Sequence, residues 1–418
     1  MKKSDTSLKA AALKTSIKEG SLASTTVGLG DSYIPAYVVA TEATLPQIAI
    51  LTSIPSLLGS LAQLISSKLI ERVDRKVLTV NSVVRVALTW IPLIGSIFLF
   101  VKGVPFIPWI IIFLKTIYVF FNNFALPPWL SWMGDLVPED KRGRYFGIRN
   151  AICTGVLLIA TILAAKWLDL LKKANLIFVG FATIFFLAMI FRLLSAAMLK
   201  KQYEPKLKVE PDYYFSIIEF VKKMRGNNFG RFTISVMVLY FATFLASPFF
   251  TPYLLRELEL DYVLFILILT VTPSLIHIAV WPLWGRFSDK YGNVRTLRVC
   301  SLIISVSPTL WVFSDNPYYL IFVPQVVSGI GWAGFFLAAS NFIYDAVTRQ
   351  RRGICFAYYN VLSGMSGFLG ATIGGIISKL SVGFMNIFLF IFLFSGIMRL
   401  MSALILVPKI KEVRGTLE

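Results

Sequence analysis

The chain has 418 residues, 56% of them hydrophobic, and a mean hydropathy of +0.73, more apolar side chain than a soluble protein buries. Apolar runs of about 20 residues separated by short charged breaks predict an all-α membrane protein crossing the bilayer many times. The formal charge of +19 sits in small Lys and Arg clusters between those runs, the pattern of cytoplasmic loops rather than of a nucleic-acid face.

In chain order, the first 20 residues, "MKKSDTSLKAAALKTSIKEG", read as a cytoplasmic tail. They lack the short apolar core and cleavage site of a removable signal peptide. About twelve transmembrane helices follow, near 21–41, 45–70, 77–101, 105–134, 143–166 and 174–199, then 231–255, 261–286, 294–314, 317–346, 354–378 and 383–407. They predict an N-terminal six-helix bundle over 21–199 and a C-terminal one over 231–407. Between them, 200–230 is a cytoplasmic linker in which "DYYFSIIEFVKKMRG" has the spacing of an amphipathic helix on the inner leaflet, or of a plain solvated linker. Residues 408–418 read as a cytoplasmic tail. Cations follow the even-numbered spans, so both termini are predicted on the cytoplasmic side of the cell membrane. Cys153, Cys300 and Cys355 lie in apolar segments without metal-ligand spacing, so no disulfide framework, metal site or cofactor is expected.

The chain repeats itself. "GDLVPEDKRGRYFGIRN" from Gly134 and "YDAVTRQRRGICFAYYN" from Tyr344 share D-x-V-x4-RG-x2-F-x3-N. Asp135 answers to Asp345, and Arg142 to Arg352. "IPSLLG" at Ile54 matches "TPSLIH" at Thr272, a register that pairs Glu71 with Asp289. "RLLSA" at Arg192 matches "RLMSA" at Arg399. Three separate matches predict two pseudo-symmetric halves, a transporter architecture.

With these features the sequence resembles the major facilitator superfamily over nearly its whole length. The family's loop signature G-x-L-A-D-R-x-G-R-K is similar to "GRFSDKYGNVR", with Gly285, Asp289, Lys290, Gly292 and Arg295 in place. The first-half copy, "SKLIERVDRK", keeps Arg72, Arg75 and Lys76, with Glu71 in place of the Asp and Ser67 and Asp74 in place of the glycines. The resemblance implies an inner-gate latch in which Glu71 or Asp289 faces basic loops and helix N-termini. Asp135, Asp345, Arg142 and Arg352 add to the network. Such pairs are individually weak.

Asp31 lies mid-depth in the first helix, where an acid is costly and usually functional. Lys115 lies mid-depth in the fourth, at the place of the Arg in the family's R-x-x-x-G-x-G motif, without its glycines. The two are expected to pair, with protonation of Asp31 releasing them. His277, the single histidine, is a further candidate for proton coupling. Gln63, Asn122, Asn123, Gln325, Asn341, Tyr358, Tyr359 and Asn360 could hydrogen-bond a solute, or serve as interhelical glue. Arg85, Arg192 and Arg399 are expected to snorkel from helix ends, and Arg149 to sit at the interface. "SGMSGFLGATIGG" offers small residues for close helix packing.

The expected function is a monomeric, proton-coupled secondary transporter that moves a small organic solute by alternating access among membrane lipid. Export of amphipathic compounds leads slightly over uptake of a sugar or other metabolite. Lipid translocation and a non-transporting receptor are the alternatives. No nucleophile–base constellation or phosphate loop points to an enzyme.

Overall fold

The computed structural model describes residues 5–70, 72–138, 142–205, 216–224, 226–347, 352–381, 383 and 385–413. Among them there is no strand; a helix satisfies its own backbone N–H and C=O groups, which lipid cannot do.

The first half opens with α1 (Asp5–Leu29), which begins well inside the stretch read as a cytoplasmic tail. Gly30 and a 3-10 turn, Asp31–Tyr33, separate it from α2 (Ile34–Ala40). Then come α3 (Leu45–Leu69), α4 (Arg75–Leu88), α5 (Trp90–Val101), α6 (Ile107–Leu136), α7 (Arg142–Lys173) and α8 (Ile177–Lys201). Together α4 and α5 make one span, broken at Thr89. Pro92 has no N–H to offer Leu88, which accounts for the break.

After the linker, α9 (Ile217–Lys223) is a single short helix whose N-cap, Ser216, accepts from the Glu219 N–H. Its Phe220 is buried against Phe229 and Tyr358. The rest of the amphipathic helix expected here, Asp212 to Tyr214 included, lies outside the described residues. The second half holds α10 (Asn228–Ala246), α11 (Phe250–Pro252), α12 (Tyr262–Ile266), α13 (Thr272–Tyr291), α14 (Asn293–Thr309), α15 (Pro317–Phe322), α16 (Pro324–Ala346), α17 (Arg352–Ile377) and α18 (Ile387–Ile405).

Ten helices among the described residues are long and apolar enough to cross a membrane, against the twelve expected. The first and ninth expected spans fall outside that count for physical reasons. In α1, Lys9, Lys14, Lys18 and Glu19 lower the hydropathy, and the break at Gly30 ends the helix early. The helix α14 has 17 residues, includes Arg295 and Arg298, and tightens into a 3-10 turn at Leu310–Val312.

The chain divides into two compact units: Met1–Ala43, Leu58–Glu210 and Asp261–Val263 form one, and Thr44–Leu57, Pro211–Leu260 and Leu264–Glu418 the other. In the first unit α1 packs on α7 and α8, and α4 on α6 and α8. In the second, α10 packs on α17 and α18, and α14 on α16 and α18. The same pairing scheme therefore recurs, and individual bonds recur with it. Thr26 Oγ1 donates to the Ala188 carbonyl between α1 and α8, and Ser395 Oγ to the Ala242 carbonyl between α18 and α10. The glycines of "SGMSGFLGATIGG" serve this packing. A Cβ at Gly370 or Gly374 would run into the carbonyls of Phe241 or Leu245 on α10.

The C-terminal segment, read as a cytoplasmic tail, packs against the starts of α10 and α14. Val407 and Ile410 are buried, Lys411 N–H donates to Asn228, and Glu412 accepts from the Val294 N–H at 2.8 Å.

Candidate functional site

The first unit holds an open-sided cavity of about 230 Å³ lined by Glu19, Asn122, Asn123, Trp129, Arg149 and Arg192, among others. Its acid comes from α1. Ala12, Ser16, Glu19 and Gly20 are buried and recur on one helical face, while Lys14 and Lys18 are exposed. That face carries Glu19 inward, to 4% exposure. A carboxylate so enclosed is tolerable only if paired and hydrogen-bonded, and Glu19 is both. Arg149 Nη2 lies 3.3 Å from its Oε2, and Ser195 Oγ donates to its Oε1 at 2.9 Å.

Arg149 reaches this position across α1. Its Nε donates to Ser16, and its guanidinium lies 4.6 Å from the ring centre of Trp129. The absence of a side chain at Gly20 makes room, since a Cβ there would meet the Arg149 guanidinium and Cys153 Sγ. Arg149, expected at the interface, is paired with Glu19 and mostly enclosed.

Arg192 is 8% exposed and does not snorkel. It lies on the buried face of α8 with Ser195, Ala196 and Leu199. One of its N–H groups donates to Asn122 Oδ1 at 3.0 Å, and its Nε has no hydrogen-bond partner. Arg399, its repeat equivalent, is likewise buried. Its Nε donates to Ser395 Oγ and its Nη1 to the Ile304 carbonyl. Of the three arginines, Arg85 alone is exposed, lying over the Phe121 ring.

A second ionic site stands where the first helix breaks. Lys115 Nζ on α6 forms an ion pair with Asp31 in the 3-10 turn. The side chains are 14% and 31% exposed, and the ammonium also lies 5.0 Å from the Tyr118 ring centre. The expected partnership is therefore present. His277 is not part of it: it lies on α13 in the second unit, edge-on to Phe336.

The sequence matches the profile of the Major Facilitator Superfamily over residues 20–230 and 232–417. The chain belongs to that superfamily. It is similar to a riboflavin transporter of Clostridioides difficile, 28% identical over 149 residues that cover 35% of this chain and 32% of that protein. It is also similar to vacuolar basic amino acid transporter 2 of Saccharomyces cerevisiae, 32% identical over 108 residues, 26% of this chain and 22% of that one. A multi-drug resistance efflux pump of Streptococcus pneumoniae is 28% identical over 145 residues, 34% and 35% of the two chains. The matched stretches span about a third or less of these relatives' own length. Among solved structures, a nucleoside transporter superposes with a TM-score of 0.70 at 12% identity, covering 95% of this chain and 100% of that one. A bacterial homolog of the human lysosomal transporter Spinster gives 0.62 at 14%, covering 89% and 81%. At such identities the likeness is one of fold. The protein is thus a multi-pass membrane protein of a transporter superfamily.

The superfamily's signature loops are anchored inside each unit. In the first, Arg75 is 1% exposed, 2.6 Å from Asp135, and also bonded to Ser131, Glu204 and the Pro205 carbonyl. In the second, the register that pairs Glu71 with Asp289 sets Asn293 opposite Arg75, and Asn293 Nδ2 donates to Asp345 at 2.7 Å. Gly292 ends α13 with φ +87, a left-handed conformation suited to glycine. Lys290 and Arg295 flank the Tyr291 ring, Gly285 lies within α13, and Asp289 is exposed. Arg72 is exposed. The expectations on Glu71 and on the side chains of Arg142 and Arg352 lie outside the described residues.

Of the polar candidates for the solute, Asn122 and Asn123 line the cavity. Gln63 lies half-buried on α3. Gln325 is buried near the start of α16, and Asn341 and Asn360 are half-buried on α16 and α17. Tyr358 and Tyr359 are buried in aromatic packing, Tyr359 stacked on Phe232 at 5.8 Å between ring centres. Glu19 was missed because the lysines around it read as a tail. The spacing of Ala12, Ser16 and Glu19 was the signal that could have found it.

Proposed function

We propose that this protein is a proton-coupled secondary transporter of the cell membrane, moving a small polar solute by alternating access, with both termini cytoplasmic. The observation that carries the reading is the Asp31–Lys115 ion pair at the break in the first helix. A charge pair that deep in a membrane helix is costly to keep, and usually functional. It ties α6 to the hinge between α1 and α2. Protonating Asp31 removes the attraction and frees that hinge, which links proton uptake to a change of shape.

The cavity beside Glu19 and Arg192 supports a small polar solute over the drug-like amphipath expected from composition. Its 230 Å³ falls below the range of about 300–1,000 Å³ of pockets for drug-sized ligands, and three of its lining groups are ionic.

The test uses proteoliposomes containing a trapped pH-sensitive dye. Riboflavin, lysine, uridine, ethidium and succinate are added in turn under an imposed pH gradient. At least one is expected to move with protons in the parent protein. Asp31→Asn should lose proton-driven accumulation while retaining solute binding. Accumulation by Asp31→Asn with the parent's pH dependence would overturn the assignment.

A further inference from the structure

We infer that the cavity of the first unit is an anion-recognition site that takes the carboxylate group of a small organic acid, with Arg192 as its principal cation. This rests on the transporter reading and names the class of solute.

The first argument is charge. The ionisable groups lining the cavity are Glu19, Arg149 and Arg192. Glu19 and Arg149 are 3.3 Å apart and neutralise one another. Arg192 remains as a cation without a carboxylate partner among the described residues. A buried charge left without a counter-ion is strongly disfavoured in a poorly polarisable interior. An anion bound in the cavity would supply the counter-charge that the protein itself does not place beside Arg192.

The second argument is hydrogen bonding. Guanidinium keeps its proton even when buried, so its N–H groups must find acceptors. Asn122 takes one of them, and Nε–H is left without a partner although its atom is buried. Nε is enclosed by protein, so Arg192 can meet a ligand in the cavity only through its terminal nitrogens, one of which Asn122 orients. A planar carboxylate matches the guanidinium fork, where an alcohol or amide supplies a single neutral oxygen.

The third argument is the supporting shell. Asn122 fixes the orientation of Arg192. The Asn123 amide lies beside Gly59 of α3, where a Cβ would displace it, and so adds a second amide to the lining. Trp129 covers Arg149 on one face and gives the cavity an apolar wall for the body of the acid. The volume, about that of seven or eight liquid waters, suits a small acid.

The repeat sharpens the point. Arg399 answers to Arg192, but two protein acceptors engage it. Ser402 answers to Ser195 and donates to the Ser235 carbonyl, where Ser195 meets the Glu19 carboxylate. The second unit thus uses its buried arginine as a structural tie, and the first keeps a donor free.

The experiment is thermal unfolding of the purified full chain with succinate, lactate and benzoate, each against its neutral amide, and with inorganic phosphate. At least one carboxylate should raise the midpoint, with no effect from its amide. Arg192→Gln should weaken that binding about 10- to 100-fold, the scale of a lost hydrogen bond to a charged group. Arg192→Lys should recover part of it. Equal stabilisation by acid and amide, stabilisation by phosphate alone, or no stabilisation by any carboxylate would overturn the site, and these comparisons need only the parent protein. Proton-driven transport of a neutral solute without carboxylate binding removes the site but leaves the transporter reading. Carboxylate binding without proton-linked transport does the reverse.

Discussion

Arg75 and Asp135 meet at 2.6 Å between α4 and α6, and at the corresponding place in the second half Asn293 donates to Asp345 at 2.7 Å. The carboxylate is retained in both halves and its partner differs. Arg75 is almost fully enclosed and fastens the Glu204–Pro205 segment as well, whereas Asn293 joins Ser288 to Asp345. Replacing Arg75 by Met should therefore cost about 1–3 kcal/mol, discounted because Asp135 is 44% exposed. Replacing Asn293 by Ala should cost less, about 0.5–1.5 kcal/mol. Unfolding midpoints in detergent would check the order, and a larger loss at Asn293 would contradict it.

Gly20→Ala is a test of sign. In a helix interior Ala normally stabilises over Gly by about 0.5–1 kcal/mol. Here the new methyl would meet the Arg149 guanidinium and Cys153, so a net loss of about 1–3 kcal/mol is expected. The loss should shrink in an Arg149→Ala background, where the guanidinium is gone. An additive result would mean that Gly20 does not make room for Arg149.

Asp31 and Lys115 should couple in a double-mutant cycle. Each single change, Asp31→Asn or Lys115→Met, leaves its partner's charge unpaired in a partly enclosed site. The double change strands neither. A coupling of about 1–3 kcal/mol is expected, measured as unfolding of the four proteins in one detergent. Independent effects would show that the contact carries no energy.

The C-terminal segment should act as a cap. Glu412 accepts the Val294 N–H at the N-terminus of α14 and lies where a Cβ at Gly292 would point. Glu412→Ala should cost about 0.5–2 kcal/mol, the range of a lost cap. Gly292→Ala should cost about 1–3 kcal/mol, because φ +87 strains a side-chain-bearing residue. Faster amide exchange in the first turn of α14 would accompany both changes. Unchanged exchange in Glu412→Ala would remove the cap.

The sequence by itself determined the membrane class, the order of the long helices and the repeat. These rest on local quantities: apolar run length, charge between runs and self-similarity. Within a single continuous apolar segment in lipid only a helix satisfies every backbone group, so a run of twenty apolar residues already points to its conformation. The partnership of Asp31 with Lys115 was also legible, because ionisable groups inside apolar runs of sequence are rare enough to point at one another. The outer ends were not legible. Lysines before Gly20 read as a tail, though Lys14 and Lys18 occupy one exposed side of a helix whose other side carries Glu19 inward. The same limit hid Arg192 and Arg399, since a helical position alone does not say which neighbour the side chain will face. Only the packing of α6 and α8 decided that Arg192 meets an amide and keeps an N–H free. Only the packing of α14 and α18 decided that Arg399 is tied down. Those outcomes depend on contacts between residues far apart in the chain, and a buried charge takes its energy from such contacts.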